Sequence, residues 1–341
     1  MAWFVKMDSS WKNTEYEKKV FEYMHKRIPD KVFDAHSHLS KFEIEGFTEE
    51  NVFTESIRAT ESVIGEGKLK GGLTMGNPFD RYTPEEYEDD RLFSCENANK
   101  YEGFVTGLLV RPTDKPEEVE EWLKKYPRIV ALKPYRNFAR GLVENINEAD
   151  ILTFAPEWMW ELAEKWNLVV VLHISHDNRM LSSEKNMEQI PYICKKYPKA
   201  TMQLAHCAMG HNPYMFKNGL KCLEGLDNVW FDTSGICDAL TLIYTFRDFD
   251  RKKIMYGSDG YNYGHNMMGK CFGVGETLSC RYTGSLLPGV DEPPYLFKGL
   301  NTMTESLIAH FAAGDVVGLS ENEYEDIFYN NAVNLFYSKI R

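Results

Sequence analysis

From Val32 onward, short apolar runs alternate with amphipathic, charge-flanked stretches, and this alternation predicts βαβ units assembled on a parallel sheet. Eight runs read as strands: Val32 to Ala35, Gly71 to Met75, Phe104 to Val110, Ile129 to Pro134, Leu168 to His173, Thr201 to His206, Val229 to Thr233 and Ile254 to Tyr256. Between them, Pro116 to Tyr126, Pro156 to Trp166, Ser183 to Tyr197, Pro213 to Leu223 and Cys237 to Phe246 read as helices. Several of these open on Pro or Ser with acidic groups early, as helix starts do. Ahead of the first strand, Asn13 to Arg27 carries Val20, Phe21 and Met24 on one side, predicting a helix that closes one end of the fold before Pro29 stops it.

Eight strands, each followed by a helix, predict an α/β fold closed into a (β/α)8 TIM barrel, which places its chemistry at the C-terminal ends of the strands. A doubly wound open sheet is the alternative. It predicts a GxGxxG turn after an early strand, a spacing that Gly65-Glu66-Gly67 and Gly71-Gly72 lack. Residues 1–30 read as an N-terminal helical extension and 31–341 as the barrel, with long connections at 39–70 and 261–301. Connections of that length are commonly lids or interfaces. The second carries Gly264, Gly269, Gly273, Gly275 and Gly284 among Tyr, Phe and Met, which suits a loop folded over a site or a homodimer contact.

Composition narrows the function classes. A hydrophobic fraction of 43% and a charged fraction of 26% over 341 residues supply a sizeable core. A formal charge of -12 argues against a nucleic-acid partner, which requires clustered Lys and Arg, and leaves a small molecule as the expected ligand. Neither a secretory signal nor a membrane-length apolar run is legible, so no membrane partner is expected. The cysteines, at 95, 194, 207, 222, 237, 271 and 280, lack close CxxC pairs and are expected as free thiols of a cytoplasmic protein. Cys207 adjoins His206, but strand alternation predicts that it faces away.

Candidate chemistry gathers at the strand ends. In Val32-Phe33-Asp34-Ala35-His36-Ser37-His38, alternation puts Val32, Asp34, His36 and His38 on one face, directing two imidazoles into the barrel mouth. Neutral imidazoles suit zinc, manganese, iron or nickel, yet a bare HxH pair is a weak signal. Later strands add to it: the apolar run Leu168 to Leu172 ends in His173, Thr201 to Ala205 ends in His206, and Ile254-Met255-Tyr256-Gly257-Ser258-Asp259 delivers a carboxylate, with Gly257 leaving room beside it. Three nitrogen ligands and one carboxylate would leave a coordination position open to water, with His206 acting outside the ligand set. Lys133, ending the fourth strand on the face of Ala131, reads as a rim ion pair, a partner for a substrate carboxylate or, if carboxylated, a bridge between two metals.

These motifs resemble the amidohydrolase superfamily, specifically the amidohydrolase-related (amidohydrolase 2) branch that includes aminocarboxymuconate-semialdehyde decarboxylase. The likeness rests on Asp34-Ala35-His36-Ser37-His38, Leu132-Lys133-Pro134, Leu172-His173, Leu204-Ala205-His206, Tyr256-Gly257-Ser258-Asp259 and the closing run from Tyr329 to Phe336. It implies one divalent metal ion, zinc first and otherwise manganese, iron or nickel, ligated by His36, His38, His173 and Asp259. It also implies that His206 lies beside a metal-activated water as an orienting base or an electrostatic stabiliser. Where the family commonly has an aromatic residue and Pro after Gly-Ser-Asp, this chain has Gly260 and Tyr261.

With that ligand set, Asp259 and His206 are the expected catalytic pair: Asp259 takes a proton from the attacking water and returns it to the leaving group. Arg111, Lys133 and Arg136 near the third and fourth strand ends are expected to capture an anionic substrate, and Tyr135 and Ser234 to hydrogen-bond it. The resulting expectation is a hydrolase of a C–O or C–N bond in a small lactone, ester or amide. Non-oxidative decarboxylation of an aromatic or unsaturated acid is the alternative, and a barrel that binds without turnover or a metal-independent lactonase stands behind both.

Overall fold

A computed structural model describes residues 15–40, 48–77, 82–261, 270–271 and 300–341. Eight strands form the parallel wall of the barrel: β1 (Val32–His38), β2 (Leu69–Met75), β3 (Phe104–Val110), β4 (Ile129–Pro134), β5 (Val169–Leu172), β6 (Thr201–Leu204), β7 (Val229–Asp232) and β8 (Ile254–Met255), each paired with the next. The short strand β9 (Gly260–Tyr261) then pairs in parallel with Ser37 and His38 of β1. The last rung is therefore split, with β8 on β7 and β9 on β1, and Ala35 N–H donates to Tyr256 O across the seam at 2.9 Å. The ring closes, as the strand–helix alternation predicts.

Two apolar layers arise from strand alternation. Phe33, Ala35, Leu73, Met75, Val105, Ala131, Val169, Val171 and Met255 fill the interior, while Val32, Leu108, Leu132, Val170, Leu204, Phe231 and Ile254 meet the surrounding helices. The helix Asn331–Tyr337 adds Ala332, Leu335 and Phe336 to the inner layer, and Lys339 and Arg341 beside it bond groups at the amino ends of β6 and β4. This helix closes the barrel floor. The N-terminal helix, observed over Glu15–Met24, instead packs on the outer layer through Phe21 and Met24, against the helices Val52–Ile64 and Thr302–Val317.

One of the two long connections is redefined here. The connection 39–70 is not a structureless loop, because it contains the helix Val52–Ile64, the outer partner of the first strand pair. The other connection, 261–301, lies almost wholly outside the described residues, including Gly264, Gly269, Gly273, Gly275 and Gly284. No helix among the described residues is long and apolar enough to cross a membrane.

Candidate metal centre at the carboxyl ends of the strands

His36 reaches the interior by breaking the strand rule. Phe33 and Ala35 face inward and Val32 outward, so strict alternation would turn His36 out with Val32 and Asp34. The pairing of β1 with β2 shifts register between Asp34 and Ser37, and His36 Nδ1 meets Asp232 of β7 at 2.9 Å. The expectation that Val32 and Asp34 share the face of His36 and His38 is thus corrected by this irregularity. Asp34 faces the seam, where it accepts from Ser258 Oγ (2.5 Å), Ser258 N (2.9 Å) and His36 N (3.2 Å). Burial raises its pKa to about 7 despite these donors.

Asp232 organises the inner ring. It lies fully buried and accepts from His36 Nδ1, Gln203 Nε2 (2.7 Å), His206 N (3.0 Å), Ser234 N (3.2 Å) and Ser234 Oγ. Burial opposes its charge, but the neighbouring His36 and His206 and these donors hold its carboxyl far below the usual range. An ionised Asp232 fixes the tautomer of His36 with hydrogen on Nδ1, leaving Nε2 as a lone pair. Gly76 O does the same for His38 Nδ1 at 2.9 Å, and Ser234 O for His206 Nδ1 at 2.9 Å. Burial pushes the pKa of all three rings down, keeping them neutral.

The consequence is a convergence of acceptors. His36 Nε2 and His38 Nε2 each stand 3.6 Å from the same Oδ1 of Asp259, and His36 Nε2 is buried without a hydrogen-bond partner. Two lone pairs facing one carboxylate oxygen repel unless a cation lies among them. Among the described residues, His36, His38 and Asp259 have ligand atoms within 4.8 Å of one another, as do His36, His206 and Asp232. Nitrogen and carboxylate donors in such a buried group fit a divalent transition metal. Asp259 enters this group from a left-handed backbone (φ +54°), and its N–H donates to His36 O at 2.9 Å. Gly257 permits the approach: a Cβ there would stand 2.9 Å from His36 Cβ and 3.0 Å from Ser234 Cβ.

His173 belongs to neither group. Its ring lies 5.2 Å from that of His206 and 4.9 Å from that of Tyr135, with Nδ1 buried and unpartnered. Lys133 points into the same chamber with its Nζ buried and unpartnered, and burial lowers its pKa to about 8 against the opposing pull of Asp232 and Asp259. Arg136 donates to Ser175 O and Asn147 Oδ1, both at 3.2 Å, while its Nε is buried and unpartnered. Arg111 stacks on Tyr87, 3.9 Å from the ring centre, and donates to Tyr82 O. Ser234 corrects its expectation, since it is fully buried and its hydroxyl bridges Asp232 and His206 rather than opening to a ligand.

Strand β6 ends at Leu204, and His206, Cys207, Ala208 and Met209 all come after it with positive φ between 47° and 58°. A left-handed turn costs non-glycine residues roughly 1–2 kcal/mol each, so the surroundings must hold it. Cys207 therefore sits on this turn and not on a strand. It is buried in the outer layer with its thiol pKa pushed up, away from the chemistry as expected though for a different reason. Asp232 and Gln203 do not stand out as site residues in the sequence. A signal for Asp232 is nonetheless there: a carboxylate inside the apolar run Val229-Trp230-Phe231-Asp232 can persist only with partners.

The fold is a (β/α)8 barrel enzyme fold, with a histidine–carboxylate group at its carboxyl rim whose donor atoms could hold a metal ion. The Amidohydrolase family profile matches residues 80–337, and the chain belongs to that family. The matched segment starts beyond β2, so His36 and His38 stand outside it. No curated protein matches the sequence. Similar solved structures include a zinc-bound amidohydrolase from Burkholderia multivorans (11% identity, TM-score 0.54, covering 90% of this chain and 99% of that one). They also include 5-carboxyvanillate decarboxylase from Sphingomonas paucimobilis (11%, 0.51, 91% and 99%) and 2,6-dihydroxybenzoate decarboxylase from Rhizobium (13%, 0.50, 91% and 99%). At these identities the likeness concerns the fold.

Proposed function

We propose that this protein is a metal-dependent hydrolase that cleaves a C–O or C–N bond in a small, anionic lactone, ester or amide. One observation carries the reading: the lone pairs of His36 and His38 meet Asp259 Oδ1 at equal distance in a buried pocket. His36, His38 and Asp259 would hold the ion, with His173, just past the end of β5, completing the set, and zinc is the preferred occupant. A divalent ion there supplies Lewis acidity, lowering the pKa of water from about 15.7 to about 7 and polarising a carbonyl.

The protein's own groups handle the protons. His206, neutral and with Nδ1 donating to Ser234 O, presents Nε2 as an acceptor that orients the attacking water, which favours the base role over oxyanion stabilisation. Asp259 takes the proton released as the C–O bond to water forms and delivers it to the departing oxygen or nitrogen as the old bond breaks. Lys133 and Arg136 add positive charge for a substrate carboxylate, and Tyr135, packed against His173, bounds the substrate space.

Zinc-loaded protein assayed against lactones, esters, amides and hydroxybenzoates tests this. Acid release from the first three groups, abolished in Asp259→Asn with the fold retained, is the expected outcome. Carbon dioxide release from hydroxybenzoates without hydrolysis would replace it with decarboxylation, the activity named for two of the structurally similar proteins.

A further inference from the structure

The buried imidazole of His211 has no part in the scheme above. His211 lies just beyond the left-handed turn His206–Met209, which folds the chain back until the His211 ring stacks on that of His206, with centroids 6.3 Å apart and planes 28° from parallel. The fold-back is fastened at several points. Gly210 N–H donates to His206 O and His211 N–H to Met209 O, both at 2.8 Å, and Thr241 Oγ1 donates to Gly210 O at 2.5 Å. Gly210 has no room for a side chain, since a Cβ would stand 2.8 Å from both Cys207 O and Thr241 Cγ2. A strained turn held this firmly leaves His211 little positional freedom.

The His211 side chain lacks its complement. It is 9% exposed, yet its Nε2 is fully buried and makes no hydrogen bond. His36, His38 and His206 each have Nδ1 tied to an acceptor of the protein, while His173 and His211 each keep a buried ring nitrogen without one. The His206 ring on which His211 stacks lies in turn 5.2 Å from that of His173, so His211 extends the imidazole cluster of the site. Burial holds its own pKa down to about 3, and a neutral ring offers either an N–H or a lone pair.

We propose that His211 is a substrate-contacting residue whose Nε2–H donates to a carboxylate oxygen of the substrate beside the imidazole of His206. The proposal rests on the reading of this chamber as the substrate site, but not on the reaction performed there. His211 supplies the contact that distinguishes a carboxylate from an uncharged group of the same shape, while the neighbouring cations attract the anion without fixing its orientation.

The test uses benzoate and the isosteric benzamide as probes of the full-length, zinc-loaded protein. In histidine-15N-labelled protein, titration with benzoate shifts the His211 Nε2 resonance, assigned by its loss in His211→Gln. Calorimetry shows benzoate binding weakened about tenfold in His211→Ala and largely restored in His211→Gln, whose amide can reproduce the donor, with benzamide affinity changed much less. Zinc content and the thermal midpoint of each variant check that the site is intact. Benzoate binding that is absent from the wild type, unchanged in His211→Ala, or saturable without movement of the His211 signal overturns the proposal. A failed hydrolysis panel alongside a His211-dependent benzoate affinity would instead overturn only the assigned reaction.

Discussion

Asp232→Asn is the sharpest perturbation of the site, because it keeps the shape and removes one acceptor. In the native protein, Oδ2 receives His36 Nδ1 and Gln203 Nε2, and Oδ1 receives the backbone N–H groups of His206 and Ser234 with the Ser234 hydroxyl. An asparagine has one oxygen for these two sets. If its NH2 replaces Oδ1, two buried backbone donors lose their acceptor, at about 1–3 kcal/mol each. If it replaces Oδ2, His36 must move its hydrogen to Nε2, which removes the lone pair aimed toward Asp259. The first orientation is read as instability and the second as lost metal affinity. We expect the variant to lose about 3–5 kcal/mol in urea unfolding of the metal-free protein, or zinc affinity by about 10–100-fold in chelator competition, or part of each. A variant within about 0.5 kcal/mol of wild type that also holds zinc as tightly would refute the role given to Asp232.

Three further outcomes are expected from the same geometry. Lys133 has a folded pKa of about 8 against an ordinary 10.5, so its burial in the charged form weakens the metal-free protein below pH 8, and that penalty fades as pH rises toward 10.5. Lys133→Met should therefore be more stable than wild type by about 3 kcal/mol at pH 7 and lose that advantage near pH 10.5; an advantage equal at both pH values would contradict it. Gly257→Ala should lower the unfolding free energy by about 1–3 kcal/mol and weaken zinc binding, since its methyl must displace His36 or Ser234, and an unchanged calorimetric scan would count against that contact. Removing metal with a chelator should abolish hydrolysis, with recovery on adding back zinc; full activity in protein shown to be metal-free would point to a metal-independent lactonase.

Much of the barrel was legible in the sequence. Runs such as Phe104 to Val110 and Ile129 to Pro134 are buried on both faces, and their predominantly apolar character, interrupted by Thr106 and Lys133, marks central parallel strands to the residue. The rim was less legible. Nothing in Ala205-His206-Cys207-Ala208-Met209 announces four left-handed residues, because alanine and methionine favour the right-handed helix and only packing against β7 and the Thr241 helix compels the turn. The register shift in β1 is equally silent, and it decides which way His36 points. The histidines and Asp259 could be picked out as candidates, but the orientations of His36 and His206 depend on Asp232 and Ser234, which lie far along the chain from His36.

The split eighth strand gives the site a bearing on how the chain reaches its native state. His36 and His38 belong to the first rung and Asp259 to the last, and their neighbourhood exists only once Ala35 meets Tyr256 and Ser37 meets Gly260. Contacts of such sequence separation are slow to form, so closure of this ring is a late event in folding. A cation held by both rungs would act as a clasp, binding the closed ring and not the open one. Its presence would slow the opening of the seam and protect the junction between β8 and β9 from proteases that attack the chain when it parts.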